Sequence, residues 1–497
     1  MGMILLRKKH NFLTGAAVMA AASVLCKILS AVFKIPLDRF FLHEEGIAVF
    51  QSVCSVYNVF LAFCITGIPI ALSSLVASSD EKTAADLRKS TFYSVTAVCG
   101  VCAVLLFLFA DNAAVFLSGG GSALSGAAIR VAAPAILFMG VIAAQRGFFQ
   151  GSGDMRPSAL SQIAESFTKA TLGTLFCALT IKKGIEYGAA GAMAGVALGT
   201  VFSALVLLLC HKKNKSEKGS FKPKLAMQVL RLSLPVTLGA FGFTAVILCD
   251  TLTVPNILAA CKVAEIERLR LFGYLTRANT IYNLPATIIT AVTASIVPFV
   301  SASAGNKEKL SESLFKSVKL LFIIAVPCGF GLILFAPQVL SLVYSSAEHY
   351  GLLALIGALV LIIPYIQATT ATLQAIGKVY KPIMATFVAI LIKLALNFIL
   401  IPRIGIEGAP ASTAIAFTVA FILNTKMLSK NLPIRAFAVF MAKVFLCGGI
   451  SCGAAKLLYN IHPAIYMLPV CILVAATIYF GSVVLSRTVT KADIKGL

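Results

Sequence analysis

Apolar stretches of about eighteen residues or more, each long enough to cross a hydrocarbon layer as a helix, recur from one end of this 497-residue chain to the other. In lipid every backbone N–H and C=O needs a partner within the protein, which leaves helices or a closed barrel. Barrel strands would alternate polar and apolar residues over roughly ten positions, and no such pattern is present. The chain is therefore expected to be an all-α polytopic membrane protein. Its spans are predicted at about 12–33, 47–76, 90–110, 127–149, 158–180, 188–210, 229–253, 272–303, 314–337, 351–377, 382–402, 408–429, 434–458 and 463–486. Arg7, Lys8 and Lys9 precede "AVMAAAS" like a cleavable signal, but the apolar run continues past Lys27, so a retained first span is expected.

The formal charge of +23, from 42 Lys and Arg against 19 Asp and Glu, comes without a basic module interleaved with aromatics, so no nucleic-acid partner is expected. Basic residues concentrate in alternate loops: Lys82, Arg88, Lys89, Arg156 and the block "HKKNKSEKGSFKPK" (His211 to Lys224) fall on one side. That bias predicts a plasma-membrane protein with both termini cytoplasmic and with anionic lipids as neighbours. The 13 cysteines lie mostly in apolar runs, which argues against a disulfide framework. The pair Cys99 and Cys102 falls inside a span and reads as packing rather than redox chemistry.

Internal similarity organises the chain. "GFFQGSGDMRPSALSQIAESFTKA" (Gly147 to Ala170) is answered by "LQAIGKVYKPIMATFVAILIKLALN" (Leu373 to Asn397), both with Gln, Gly, Pro and a helix-borne Lys. "KIPLD" from Lys34 faces "LTVPN" from Leu252, Tyr57 faces Tyr282, and "GAAGA" from Gly188 faces "GIEGA" from Gly405, all at offsets near 217 to 225. A duplicated six-span unit is expected: a lobe over 1–210, a basic linker over 211–228, a second lobe over 229–430, and two further spans with a short tail over 431–497. Lobes repeated in the same orientation suit a cavity between them, reached alternately from each side. Prolines at 69, 134, 235, 285, 298, 327 and 364 would kink spans.

Charges inside spans are costly and usually functional. Glu165 and Lys169, four apart with the acid first, are spaced for an ion pair on one helix. Arg146, Arg130 and Lys443 sit close enough to span ends to snorkel. Lys27, Arg277 and Lys393 have no nearby acid in sequence and, with Arg146, are the candidate groups for an anion in a wet cavity. Asp250, Glu165 and Lys169 are the candidates for charge pairing or for a coupling Na⁺ or H⁺. An excess of Lys and Arg suits a phosphate or diphosphate head. No phosphate loop, HExxH or nucleophile elbow is present, so neither enzyme activity, a metal nor a cofactor is expected. "SGGGS" (Ser118 to Ser122) reads as a flexible outer turn.

"EEGIAVFQSVCSVYNVFLAFCITGIPIALSSLVAS" (Glu44 to Ser79) and "GFFQGSGDMRPSALSQIAE" resemble the polysaccharide biosynthesis / stage V sporulation protein B family, of the multidrug, oligosaccharidyl-lipid and polysaccharide exporter superfamily. The resemblance implies a V-shaped, two-lobed, MATE-like transporter that moves undecaprenyl-diphosphate-linked oligosaccharide, a lipid II-like cell-wall, polysaccharide or spore-cortex precursor, from inner to outer leaflet. It also implies basic residues of spans one and eight facing the cavity, where this chain has Lys27 and Arg277. One chain holds both lobes, so a monomer suffices. Two rival readings stay open: a cation-coupled multidrug exporter of the same superfamily, and a membrane glycosyltransferase or polymerase.

Overall fold

The computed structural model describes residues 2–213, 219–301, 303, 306–378, 380–428, 434–464, 466–486 and 488. Residues 214–218 of the basic linker, and Lys491 and Lys495 of the tail, lie outside that set. Every described secondary element is helical, and each of the fourteen expected spans coincides with one helix or a run of consecutive helices.

The chain divides into two compact units, Met1–Gly273 and Tyr274–Leu497. The first contains α1 (Gly2–Leu37), α2 (His43–Leu61), α3 (Ile68–Ala77), α4 (Glu81–Leu108), α5 (Ala110–Leu117), α6 (Gly126–Gly151), α7 (Arg156–Thr180), α8 (Ile185–Lys213) and α9 (Pro223–Ala260). α10 (Glu265–Ser301) begins in it. Small residues let these helices approach: a Cβ on Gly195 of α8 would lie 2.1 Å from the Gly173 Cα of α7. α6 packs on α4 and α8, and α1 lies along α7. Phe33, Phe50, Leu72, Ile136, Met139 and Phe149 fill the interior.

Several departures from regular helix follow from proline. Pro69 has no N–H and its ring crowds the carbonyl four residues back, and the turn before it, Ala62–Gly67, widens to π geometry. Pro364 lies at the start of a helix, after the break that follows Val360. Pro134, Pro235 and Pro327 lie inside continuous helices. The side chain of Pro298 lies outside the described residues.

α9 packs on α2, α3 and α4, and the glycine loop helps to hold it. Asn256 Nδ2 donates to Phe116 O at 3.0 Å, and Arg268 Nη2 donates to Ser118 O at 3.3 Å. The Ser122 amide and hydroxyl both donate to Glu265 Oε1, the amide at 2.6 Å. Gly119 and Gly120 have φ of +73° and +78°, and a Cβ on Gly119 would lie 2.5 Å from Pro255 O. The expected flexible turn is instead a docked loop, whose glycines give the left-handed backbone and close approach that docking requires.

The second unit contains α11 (Lys307–Leu334), α12 (Ala336–Tyr344), α13 (Tyr350–Val360), α14 (Ile363–Ala375), α15 (Tyr380–Ile404), α16 (Gly408–Leu428), α17 (Ile434–Ile461) and α18 (Met467–Leu485). α15 pairs with α16, and α17 pairs with α18 and packs on α11. Lys456 of α17 sits 5.1 Å from the Phe335 ring centre and 5.7 Å from that of Tyr459, and it donates to Gln338 Oε1 at 3.0 Å. An ammonium among aromatic faces is thus one of the ties that seat the last two helices.

Candidate functional site

In the first unit, polar side chains from separate helices meet inside an apolar bundle. Arg146, on α6 and 1% exposed, donates through Nε to Ser161 Oγ at 3.0 Å. Its Nη2 donates to Glu165 Oε2 and Ser203 Oγ, each at 2.9 Å. The group therefore clamps α6, α7 and α8 together. The Tyr57 hydroxyl of α2 and the Thr200 hydroxyl of α8 lie 2.6 Å apart.

These contacts correct two expectations. Glu165 pairs with Arg146 rather than with Lys169, because a cross-helix guanidinium reaches it while Lys169 is drawn elsewhere; the Lys169 ammonium lies 5.4 Å from the Phe33 ring centre on α1. Arg146 does not snorkel, since its donors are satisfied inside the bundle. Arg130 pairs with exposed Asp111 at 2.5 Å, and Lys443 is exposed.

α1 and α2 carry a second polar chain that sequence reading missed. Lys34 Nζ donates to Gln51 Oε1 at 2.7 Å, Gln51 Nε2 donates to Ser55 Oγ at 3.1 Å, and Thr251 Oγ1 of α9 donates to Ser55 Oγ at 2.8 Å. The first span is expected to end near residue 33, short of Lys34, yet α1 runs on to Leu37. The spacing of Lys27, Ser30 and Lys34, which places them along one side of a helix, was the available signal. Lys27 is exposed at the surface of its unit, and Asp250 is buried on α9.

The second unit holds the other two candidates. Arg277, 3% exposed on α10, lies 5.0 Å from the Tyr344 ring centre and 5.8 Å from that of Tyr274. Lys393, fully buried on α15, donates to Thr413 Oγ1 at 2.5 Å and to Ala409 O at 3.4 Å on α16. One turn further along α15, the Ser412 hydroxyl donates to Asn397 Oδ1. These positions repeat those of the first unit in register. Lys393 and Asn397 stand 224 residues after Lys169 and Gly173, and Ser412 stands 217 after Gly195. A glycine-to-glycine crossing in one helix pair thus answers to a hydrogen-bonded Asn and Ser in the other.

No group of three or more His, Cys, Asp or Glu placed to hold a metal occurs among the described residues. Cys64 and Cys99 approach to 3.6 Å between their sulfurs inside the bundle, and all thirteen cysteines are free thiols.

A family model described as polysaccharide biosynthesis protein matches residues 12–304, and one described as MatE matches residues 275–399. Stage V sporulation protein B of Bacillus subtilis (strain 168) is 27% identical over 468 residues, covering 89% of each chain. An uncharacterized membrane protein of the same organism, YabM, is 27% identical over 461 residues, covering 88% of this chain and 86% of that one. Among solved structures, a lipid II flippase MurJ in an inward closed conformation superposes with a TM-score of 0.77 at 18% identity, over 95% of this chain and 99% of that one. With more than half its length matched by that first model, the chain belongs to the polysaccharide biosynthesis protein family, within the multidrug, oligosaccharidyl-lipid and polysaccharide exporter superfamily.

Proposed function

We propose that this protein is a flippase of the plasma membrane that moves an undecaprenyl-diphosphate-linked oligosaccharide from inner to outer leaflet by alternating access, with both termini cytoplasmic. The observation that carries the reading is a fold shared along nearly the whole chain with a lipid II flippase, joined to basic side chains in otherwise apolar helices. Lys27, Arg277 and Lys393 are the groups assigned to the diphosphate. Lys offers a point charge and Arg a planar fork, and both suit phosphate oxygens. Arg146 is better assigned to holding its lobe together, since Glu165 and two serines already occupy its donors. Export of a dianion is aided by a potential negative inside, by about 4.6 kcal/mol at 100 mV. The sequence repeat, with its in-register hairpins, supports two lobes of common ancestry over 1–210 and 229–430, followed by the extra helices.

The test is reconstitution in liposomes with a labelled lipid-linked precursor. Wild type should move label between leaflets, and Lys27→Ala and Arg277→Ala should slow that movement at least tenfold. No exchange by wild type, or full exchange by both variants, would overturn the reading. A second reading, a cation-coupled drug exporter, rests on the MatE match over residues 275–399. It requires efflux of a cationic dye driven by a Na⁺ or H⁺ gradient in the same liposomes.

A further inference from the structure

At one end of the first unit, two basic side chains from different helices converge on a single aromatic ring. The Arg88 guanidinium of α4 lies 5.5 Å from the Phe148 ring centre. The His211 ring of α8 meets Phe148 edge-on at 5.9 Å and Phe149 at 6.4 Å. Arg88 Nε and His211 Nδ1 are both buried and have no hydrogen-bond partner. Buried polar atoms left in this state cost free energy unless a partner meets them.

The local acid is already committed. Asp86, two residues before Arg88, accepts from the Ser220 amide at 2.6 Å and pairs with Lys222 Nζ at 2.5 Å. The Lys222 amide donates to Ser90 Oγ at 2.8 Å, and a Cβ on Gly219 would lie 2.2 Å from Ala85 O. Residues 219–222 therefore form a strap across the start of α4 that occupies the carboxylate and leaves the guanidinium without one.

Depth adds the remaining constraint. Arg88 stands just before the apolar run of α4, and His211 stands just after that of α8. Both thus mark the edge of the hydrocarbon layer, where lipid phosphates are the abundant anions. A guanidinium held beside an aromatic ring keeps donors for hydrogen bonds to phosphate oxygens.

We infer that Arg88 and His211 form a binding site for a phosphate ester at headgroup depth, with Phe148 as its floor. Phosphatidylglycerol is the probe for an anionic membrane lipid. The purified full-length chain, stripped of lipid, is titrated by native mass spectrometry with phosphatidylglycerol, phosphatidylcholine or undecaprenyl diphosphate, with inorganic phosphate as competitor. Arg88→Gln is expected to weaken phosphatidylglycerol binding about tenfold, the scale of one charge-assisted hydrogen bond. His211→Gln should weaken it a few-fold, Arg88→Lys should fall between, and Lys183→Gln, which removes an equal charge elsewhere, should change nothing. A loss larger for undecaprenyl diphosphate assigns the site to the carrier lipid, and displacement by inorganic phosphate assigns it to a soluble anion; both keep the phosphate chemistry. Equal binding of every probe by wild type and Arg88→Gln overturns it.

A measurement on the unmutated chain guards against misfolding of the variants. Phosphatidylglycerol vesicles should shield Arg88 from phenylglyoxal at least five-fold relative to phosphatidylcholine vesicles, about the scale set by a charged contact. Equal labelling in the two vesicles would reject the site.

Discussion

Arg146 Nη2 stands 2.9 Å from Glu165 Oε2, with the arginine side chain 2% exposed and the glutamate 20% exposed. Removing the acid leaves a buried guanidinium uncompensated, which typically costs 3 to 5 kcal/mol, and the partial exposure of Glu165 places this case near about 3 kcal/mol. Glu165→Ala should therefore lower the thermal midpoint sharply in detergent. The double variant Arg146→Met, Glu165→Leu should recover much of that loss. A double variant no more stable than Glu165→Ala would contradict the pairing.

The crossing of α7 and α8 has no room for a methyl group at Gly195, because the contact is to backbone rather than to a side chain that could swing away. Gly195→Ala should force the helices apart, at a cost typical of overpacking, roughly 1 to 3 kcal/mol or more. In the second unit, Ser412→Ala should cost about 0.5 to 1.5 kcal/mol by removing its hydrogen bond to Asn397. Thermal unfolding of the purified variants, followed by circular dichroism, reads both effects.

Lys27 is exposed, so Lys27→Ala should leave the unfolding midpoint within about 0.5 kcal/mol of wild type, as for surface changes generally. Loss of lipid exchange with stability retained would separate binding from folding at this position. Buried Lys393 should behave otherwise, with Lys393→Ala lowering both stability and exchange.

The two donors from Ser122 hold the Glu265 carboxyl below the usual carboxylate range. A depressed folded-state pKa contributes stability above the unfolded value of about 4.3, and that contribution is lost as pH falls through the lower, folded value. Protection of the Ser122 amide, with the intrinsic pH dependence of exchange divided out, should accordingly be high at neutral pH and fall only in acid. Glu265→Gln should remove the extra acid step. Exchange indifferent to that substitution would show that the loop is held by its glycines alone.

Asp86 seats the strap, so Asp86→Asn should open residues 219–224 to trypsin at Lys224. Faster cleavage there, with the rest of the chain intact, is the expected pattern. An unchanged digestion rate would mean that the Phe221 contact with Tyr93, at 6.3 Å between ring centres, suffices.

The spans were legible because hydropathy is a local property, summed along one stretch of chain. Partnership between helices is not local. Glu165 looks ready for Lys169 four residues on, but Arg146 lies nineteen residues away in sequence and reaches it only once α6 and α7 pack. Lys34 falls outside the expected first span for a related reason, since the apolar run ends near residue 33 while the helix continues to Leu37. The glycines at 119–121 signalled a turn, while the docking of their loop on Pro255 and Glu265 depends on helices more than a hundred residues later. The internal similarity, by contrast, shows in spacing alone, and the Gly173–Gly195 and Asn397–Ser412 contacts fall at matching offsets of 224 and 217 residues.

The paired hairpins keep the same register but not the same adhesive. Where α7 meets α8, proximity comes from missing atoms, so neither helix can gain bulk and neither depends on a complementary group. At the matching position where α15 meets α16, a hydrogen bond between Asn397 and Ser412 takes the place of the glycine contact, so neither partner can be lost without cost. The two helix pairs thus face opposite constraints at matching positions, and a substitution harmless in one is no guide to its counterpart in the other.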